Sequence, residues 1–148
     1  MRKALVAVDG SGNSLAAVRH VIRLVQSRES VEVHVLNVQP PLHLNLTLFV
    51  SRSVIRSYHE DEAAKALAPA RELLDRAGVS YTVHVVVGHP GQAIAECAKR
   101  LNCDTVIMGT RGLDAAARMM LGSVSNEAIR AMDPRIPVTL VKNTLATA

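Results

Sequence analysis

The sequence predicts an α/β fold, a single domain spanning residues 1–148 whose core is an open five-stranded parallel sheet with helices on both faces. Short apolar runs alternate with helix-patterned stretches in the order βαβαβαβαβ, and strands joined through helices pair in parallel. The runs are largely apolar along their length, as strands covered on both faces are. Turns at Asp9-Gly10, after Val87 and at Gly109 all fall on one edge once the crossovers are right-handed, and that is the edge where such sheets bind ligands.

Lys3 to Val8 is the first strand, stopped by Asp9-Gly10-Ser11-Gly12. Leu15, Val18, Ile22 and Val25 follow at three- and four-residue spacing, a helical stripe with Arg19, Arg23 and Gln26 turned to water and Asn13 or Ser14 as the expected cap. Val31 to Val38 is rich in β-branched residues and ends before Pro40-Pro41, a second strand. After a long connection, Ala63, Ala66, Leu67, Ala70, Leu73, Leu74 and Ala77 make a second stripe that Gly78 closes. Tyr81 to Val87 is the third strand, and Gly88-His89-Pro90-Gly91 turns the chain into a helix marked by Ile94, Cys97, Ala98 and Leu101. Thr105 to Met108 is the fourth strand, followed by a helix near Leu121 to Met132 and a strand near Val138 to Lys142.

Composition narrows the function. Apolar residues make up 49% of the chain, yet no run approaches the ~20 that a membrane-spanning helix needs. The basic start, Met1-Arg2-Lys3, precedes an apolar stretch that ends at Asp9, too short for a signal-peptide core, so a cytoplasmic chain is expected. Cys97 and Cys103 match neither redox nor zinc spacing and read as reduced, buried small residues. His84 and His89 lack a second pair to complete a metal site. The formal charge of +4 is spread along helices, and only Phe49, Tyr58 and Tyr81 are available for stacking, which argues against nucleic acid and favours small anions.

The chemistry-bearing segment is Met108-Gly109-Thr110-Arg111-Gly112, nine further residues, and then Gly122-Ser123-Val124-Ser125, placed between a strand and a helix. Glycine admits a phosphate close to the backbone, free N–H groups at a helix start favour an anion, and Ser123 and Ser125 add hydroxyl donors. The same residues also suit a tight turn and an ordinary helix cap. Gly109-x2-Gly112-x9-Gly122-Ser123 resembles the ATP-binding signature of the universal stress protein family. The resemblance extends over nearly the whole chain, through Val8-Asp9-Gly10-Ser11, the Gly88-x-Pro90 turn, Asp104 to Gly109, and Pro137-Val138. It implies a Rossmann-like fold of the adenine nucleotide alpha hydrolase-like kind and ATP, or AMP or ADP, as the cofactor. It also implies that the ends of the first two strands, at Ala7, Asp9 and Val38, lie by the nucleotide and its adenine. Met108, Gly109, Arg111, Gly112, Gly122, Ser123, Val124 and Ser125 would then hold ribose and phosphates.

An aspartate beside a polyphosphate needs a divalent cation or the ribose hydroxyls between them, so Asp9 is the expected neighbour of Mg2+; its other reading is a cap for the following helix. Arg111 reads either as a phosphate clamp or as a solvated side chain. The resemblance implies a regulatory, stress-response module whose nucleotide occupancy alters shape or partner choice. Two alternatives stay open. One is a slow ATPase or phosphotransferase, for which Asp9 and Arg111 are the available groups although no Gly-x4-Gly-Lys-Ser/Thr loop is present. The other is an interaction scaffold with a vestigial pocket.

Residues 136–142 are expected at the sheet edge, where an apolar strand invites a second copy of the chain and a homodimer, unless Lys142 protects it. From Leu42 to Val50 every even position is apolar, a strand-like alternation within a connection. It suits either a flap beside the nucleotide or packing on the neighbouring helix.

Overall fold

The structure, a computed structural model, describes residues 1–43, 48–110 and 122–143. Among these, strands β1 (Arg2–Ala7), β2 (Val31–Gln39), β3 (Tyr81–Val87), β4 (Thr105–Gly109) and β5 (Val138–Val141) alternate with helices α1 (Gly12–Gln26), α2 (Arg52–Arg76), α3 (Pro90–Arg100) and α4 (Ser123–Ala131). The strands form the expected parallel sheet, in the order β3-β2-β1-β4-β5. From β1 the chain builds outward through β2 and β3 on one side and through β4 and β5 on the other. The direction therefore reverses between β1 and β4, where a crevice opens at the carboxyl ends.

Successive side chains of a strand point to opposite faces, and in the central strand both faces are sealed: Ala4, Leu5 and Val6 are 1% exposed or less. On one face Val6, Val33, Val35 and Ile107 lie in one core with Val18 and Val21 of α1 and Leu67 and Leu74 of α2. On the other, Leu5, Leu36, Val106 and Met108 cluster with Ile94 and Ala98 of α3 and Ala128 of α4. The amino end of the β1–β4 pair is closed by a reciprocal contact, in which the Asp104 N–H donates to the Lys3 carbonyl (2.8 Å) and the Lys3 N–H to the Asp104 carboxylate (2.7 Å).

Three local expectations are corrected. The cap of α1 is Ser11, whose hydroxyl accepts from the Ser14 N–H, and not Asn13 or Ser14, because Gly10 at φ +87° turns the chain earlier. Helix α2 begins at Arg52, capped by Ser51, eleven residues before the stripe that starts at Ala63. Leu44 to Thr47 lie outside the described residues, while Leu48 and Phe49 sit in a turn and are 71% and 88% exposed, so these two do not pack on the neighbouring helix.

Cys97 and Cys103 are buried and unbridged, and burial pushes both thiols up, Cys103 to about 11, which disfavours the thiolate form. His34 and His84 meet across β2 and β3 with Nδ1 and Nε2 2.8 Å apart, and His34 Nε2 lies 2.7 Å from the Glu32 carboxylate. No helix among the described residues is long and apolar enough to cross a membrane.

Candidate functional site

A cavity of about 660 Å3 opens at the carboxyl edge, across the ends of β2, β1 and β4. Its floor follows from the strands: Ala7 ends β1 and Val8 follows it, Asn37 to Gln39 end β2, and Met108 and Gly109 end β4. Its walls are the turn Asp9 to Ser11, the first residues of α4, and Glu62, Lys65 and Ala66 of α2.

Three helices start along this edge, and their first turns are not equivalent. Ser11 caps α1. At α3 the Gln92 N–H donates to the Glu127 carboxylate at 3.2 Å. At α4 the cap is Gly122, which has no side chain to offer, and no acidic residue stands in the first turn. First-turn amides that no carbonyl within the helix can satisfy, and the positive end of the helix dipole, then face the cavity from Ser123 onward, an environment that favours an anion. Ser123 and Val124 are exposed there, whereas Ser125 is buried and its hydroxyl reaches toward the Gly109 carbonyl at 3.5 Å, tying α4 to the end of β4.

Asp9 is held by the turn it begins. Loss of surrounding water pushes its carboxyl up, but hydrogen bonds from the Ser11 hydroxyl and amide and from Ser14 outweigh this and keep it below the ordinary aspartate value. Its Oδ1 accepts from the Ser11 N–H at 2.9 Å. The side chain thus braces the turn that leads into α1 without capping that helix, a role Ser11 takes, and contributes a carboxylate to the wall of the cavity. Among the described residues no three His, Cys, Asp or Glu side chains are grouped to hold a metal, so a cation fits here only if a ligand supplies most of its oxygens.

Gly109 is required by its neighbours in the fold. A β-carbon there would fall far inside van der Waals contact with the Asn13 carbonyl oxygen, so α1 can cross the end of β4 only over a glycine. Of the residues expected at the site, Ala7, Asp9, Val38, Met108, Gly109, Gly122, Ser123, Val124 and Ser125 all line the one cavity. Arg111 and Gly112 lie outside the described residues.

Sequence reasoning missed Asn37, Gln39, Glu62, Lys65 and Thr110, which also line the cavity. The signal for the first two was present. Asn37 and Gln39 follow Val33 and Val35 at the same two-residue period, two amides on a strand face that is otherwise apolar. Both are buried. Glu62 and Lys65 pair at 3.2 Å on the α2 wall.

Comparison with known proteins gives a consistent picture. The universal stress protein family model matches residues 1–142. Universal stress protein MJ0531 of Methanocaldococcus jannaschii is 29% identical over 143 residues, covering 95% of this chain and 82% of the relative. Among solved structures, hypothetical protein MJ0577 superposes with a TM-score of 0.75 at 25% identity, covering 95% of each chain. The Arabidopsis thaliana universal stress protein family protein At3g01520, solved with AMP bound, does so with a TM-score of 0.70 at 20% identity, covering 99% of this chain and 95% of its own. With the strand order, the cavity and the glycine-serine start of α4 all in place along a sequence matched almost from end to end, the chain belongs to the universal stress protein family.

Proposed function

We propose that residues 1–148 act as a single ATP-binding module of the family's nucleotide-binding branch, with AMP and ADP as related ligands. The observation that carries this reading is the start of α4, whose uncapped first turn opens on a cavity of about 660 Å3 at the carboxyl edge. A volume of that size suits a small-molecule cofactor. Phosphates would rest on the amides of Ser123 to Ser125, Arg111 and Gly112 are proposed as further phosphate ligands from the motif alone, and the base would lie toward Val38 and Ala7. The relative solved with AMP supports an adenine nucleotide as the ligand class.

A Mg2+ ion arriving with the nucleotide would take Asp9 as its protein carboxylate, since Glu62 is engaged by Lys65, and complete its shell with phosphate oxygens and water. Asp9 has one oxygen committed to the Ser11 amide, which suits holding a ligand more than activating water, so occupancy rather than turnover is the proposed signal in a stress response. Two buried, unbridged cysteines fit a reducing compartment, the cytoplasm. The edge position of β5 supports a homodimer through residues 136–142.

The test is calorimetry on Gly122→Val. Gly122 sits at φ −65°, ψ 162°, a conformation open to any residue, so valine there occupies the space of the anion without straining the backbone. Wild type is expected to bind ATP and the variant to lose measurable binding while retaining its circular dichroism spectrum. Equal affinity in two folded proteins rejects the site, and acid extraction of the purified protein identifies the nucleotide it carries.

A further inference from the structure

We infer that Gln39 reads the nucleobase and selects a 6-aminopurine over a 6-oxopurine, an inference that rests on the nucleotide site proposed above. Gln39 is 8% exposed, and it lines the cavity at the end of β2. Its Nε2 donates to Asn37 Oδ1 at 2.8 Å, and Asn37 Nδ2 donates to the Val8 carbonyl at 2.8 Å. Gln39 Oε1 has no hydrogen-bond partner among the described residues. No sealed side-chain oxygen or nitrogen is left unsatisfied among them, so this oxygen must face open space, and the space that Gln39 borders is the cavity.

The polarity of this relay cannot be reversed. A backbone carbonyl only accepts, so Asn37 must turn its amino group to Val8 and its oxygen to Gln39. Gln39 must then turn its amino group to Asn37, which leaves Oε1 pointing outward. Flipping either amide would set oxygen against oxygen. The cavity is therefore offered a fixed acceptor held by a buried chain that starts at the Val8 carbonyl, just past β1.

Position says which part of a nucleotide meets it. With phosphate at the start of α4, beside the end of β4, the end of β2 lies two strand spacings away across β1, about 10 Å, which is the reach of a nucleoside monophosphate from phosphate to base edge. A fixed acceptor there pairs with the exocyclic amino group of adenine. The 6-oxo group of hypoxanthine or guanine would put a second acceptor against it, and a site built to accept one hydrogen bond rejects the ligand that cannot donate it.

AMP and IMP carry the same sugar and phosphate and differ in the base only at and next to position 6, so their affinities for the intact chain, with and without Gln39→Met, test the inference by calorimetry. Wild type is expected to bind AMP about tenfold or more tightly than IMP, and Gln39→Met, similar in shape but without a strong acceptor, to bring the two within about threefold. Equal affinity of wild type for AMP and IMP overturns the inference while leaving the nucleotide site standing. So does a preference that survives in Gln39→Met. Failure of wild type to bind AMP, IMP or ATP at all overturns the proposed function and the inference with it. If Gln39→Met does not fold, purine riboside monophosphate, which lacks the 6-amino group, replaces it: binding to wild type as tight as that of AMP overturns the inference, and weaker binding supports it.

Discussion

At position 109 the first turn of α1 leaves no room for a β-carbon, because the Asn13 carbonyl already fills that space. Gly109→Ala is expected to cost about 3 kcal/mol, since the neighbour is main chain and cannot rotate away. A urea titration reads this as a lower midpoint at unchanged slope. A glycine in a binding motif thus has a reason in packing that its spacing does not reveal, and this makes Gly122 the better position for a binding test.

His84 carries a second residue-scale prediction. Burial, and then the charges of His34 and Arg100, hold it below its ordinary value of 6.5, while Glu32 is held below 4.5 by its hydrogen bond to His34 and by Lys3. A histidine depressed in the folded state is protonated first in the unfolded chain, so its contribution is full above pH 6.5 and is lost as pH falls from there toward the folded value. Glu32 adds to the loss as pH falls below 4.5. Urea midpoints measured between pH 6.5 and roughly 5 should decline with acid, and His84→Gln should flatten that stretch. A slope unchanged by the substitution would show that His84 is not the group responsible.

Among the elements, those with a buried face were legible and those without one were not. The stripe of α2 became readable from Ala63 because Ala63, Leu67, Ala70 and Leu74 are buried at helical spacing. Its first turns, from Arg52 to Ser57, are largely exposed and impose no periodicity, so their helix shows only through the Ser51 cap. The glycine-serine motif was legible because anion binding at a helix start asks for small residues at fixed spacing. Gln39 was legible only as an amide on an apolar strand face, because the relay that orients it begins at the Val8 carbonyl, far away in sequence.

The same scale holds the assembly prediction. β5 is an edge of the sheet, four residues long, with Thr139 exposed. If two copies pair edge to edge about a twofold axis, Thr139→Lys brings like charges together across it and is expected to shift a dimer toward monomer at low salt. Sedimentation velocity decides this, and a wild type that sediments as a monomer removes the dimer.

For the whole molecule, a ligand bound only by the folded chain must raise its melting temperature. At a hundred times the dissociation constant the gain is about 2.7 kcal/mol, which for a chain of this size corresponds to roughly 5–10 °C in Tm. ATP should produce this shift in wild type and none in Gly122→Val. A matched shift in both would place the nucleotide elsewhere.

The reciprocal contact between Lys3 and Asp104 also bears on the order in which the molecule can be made. β1 leaves the ribosome first, yet its second neighbour, β4, follows only after about a hundred more residues, roughly 5–20 s of synthesis. During that interval β1, β2 and β3 can assemble with α1 and α2, but one edge of the central strand stays open. The nascent chain therefore passes through a stage in which its future centre is a sticky margin, and a chaperone or a pause in translation would matter most before Gly109 emerges.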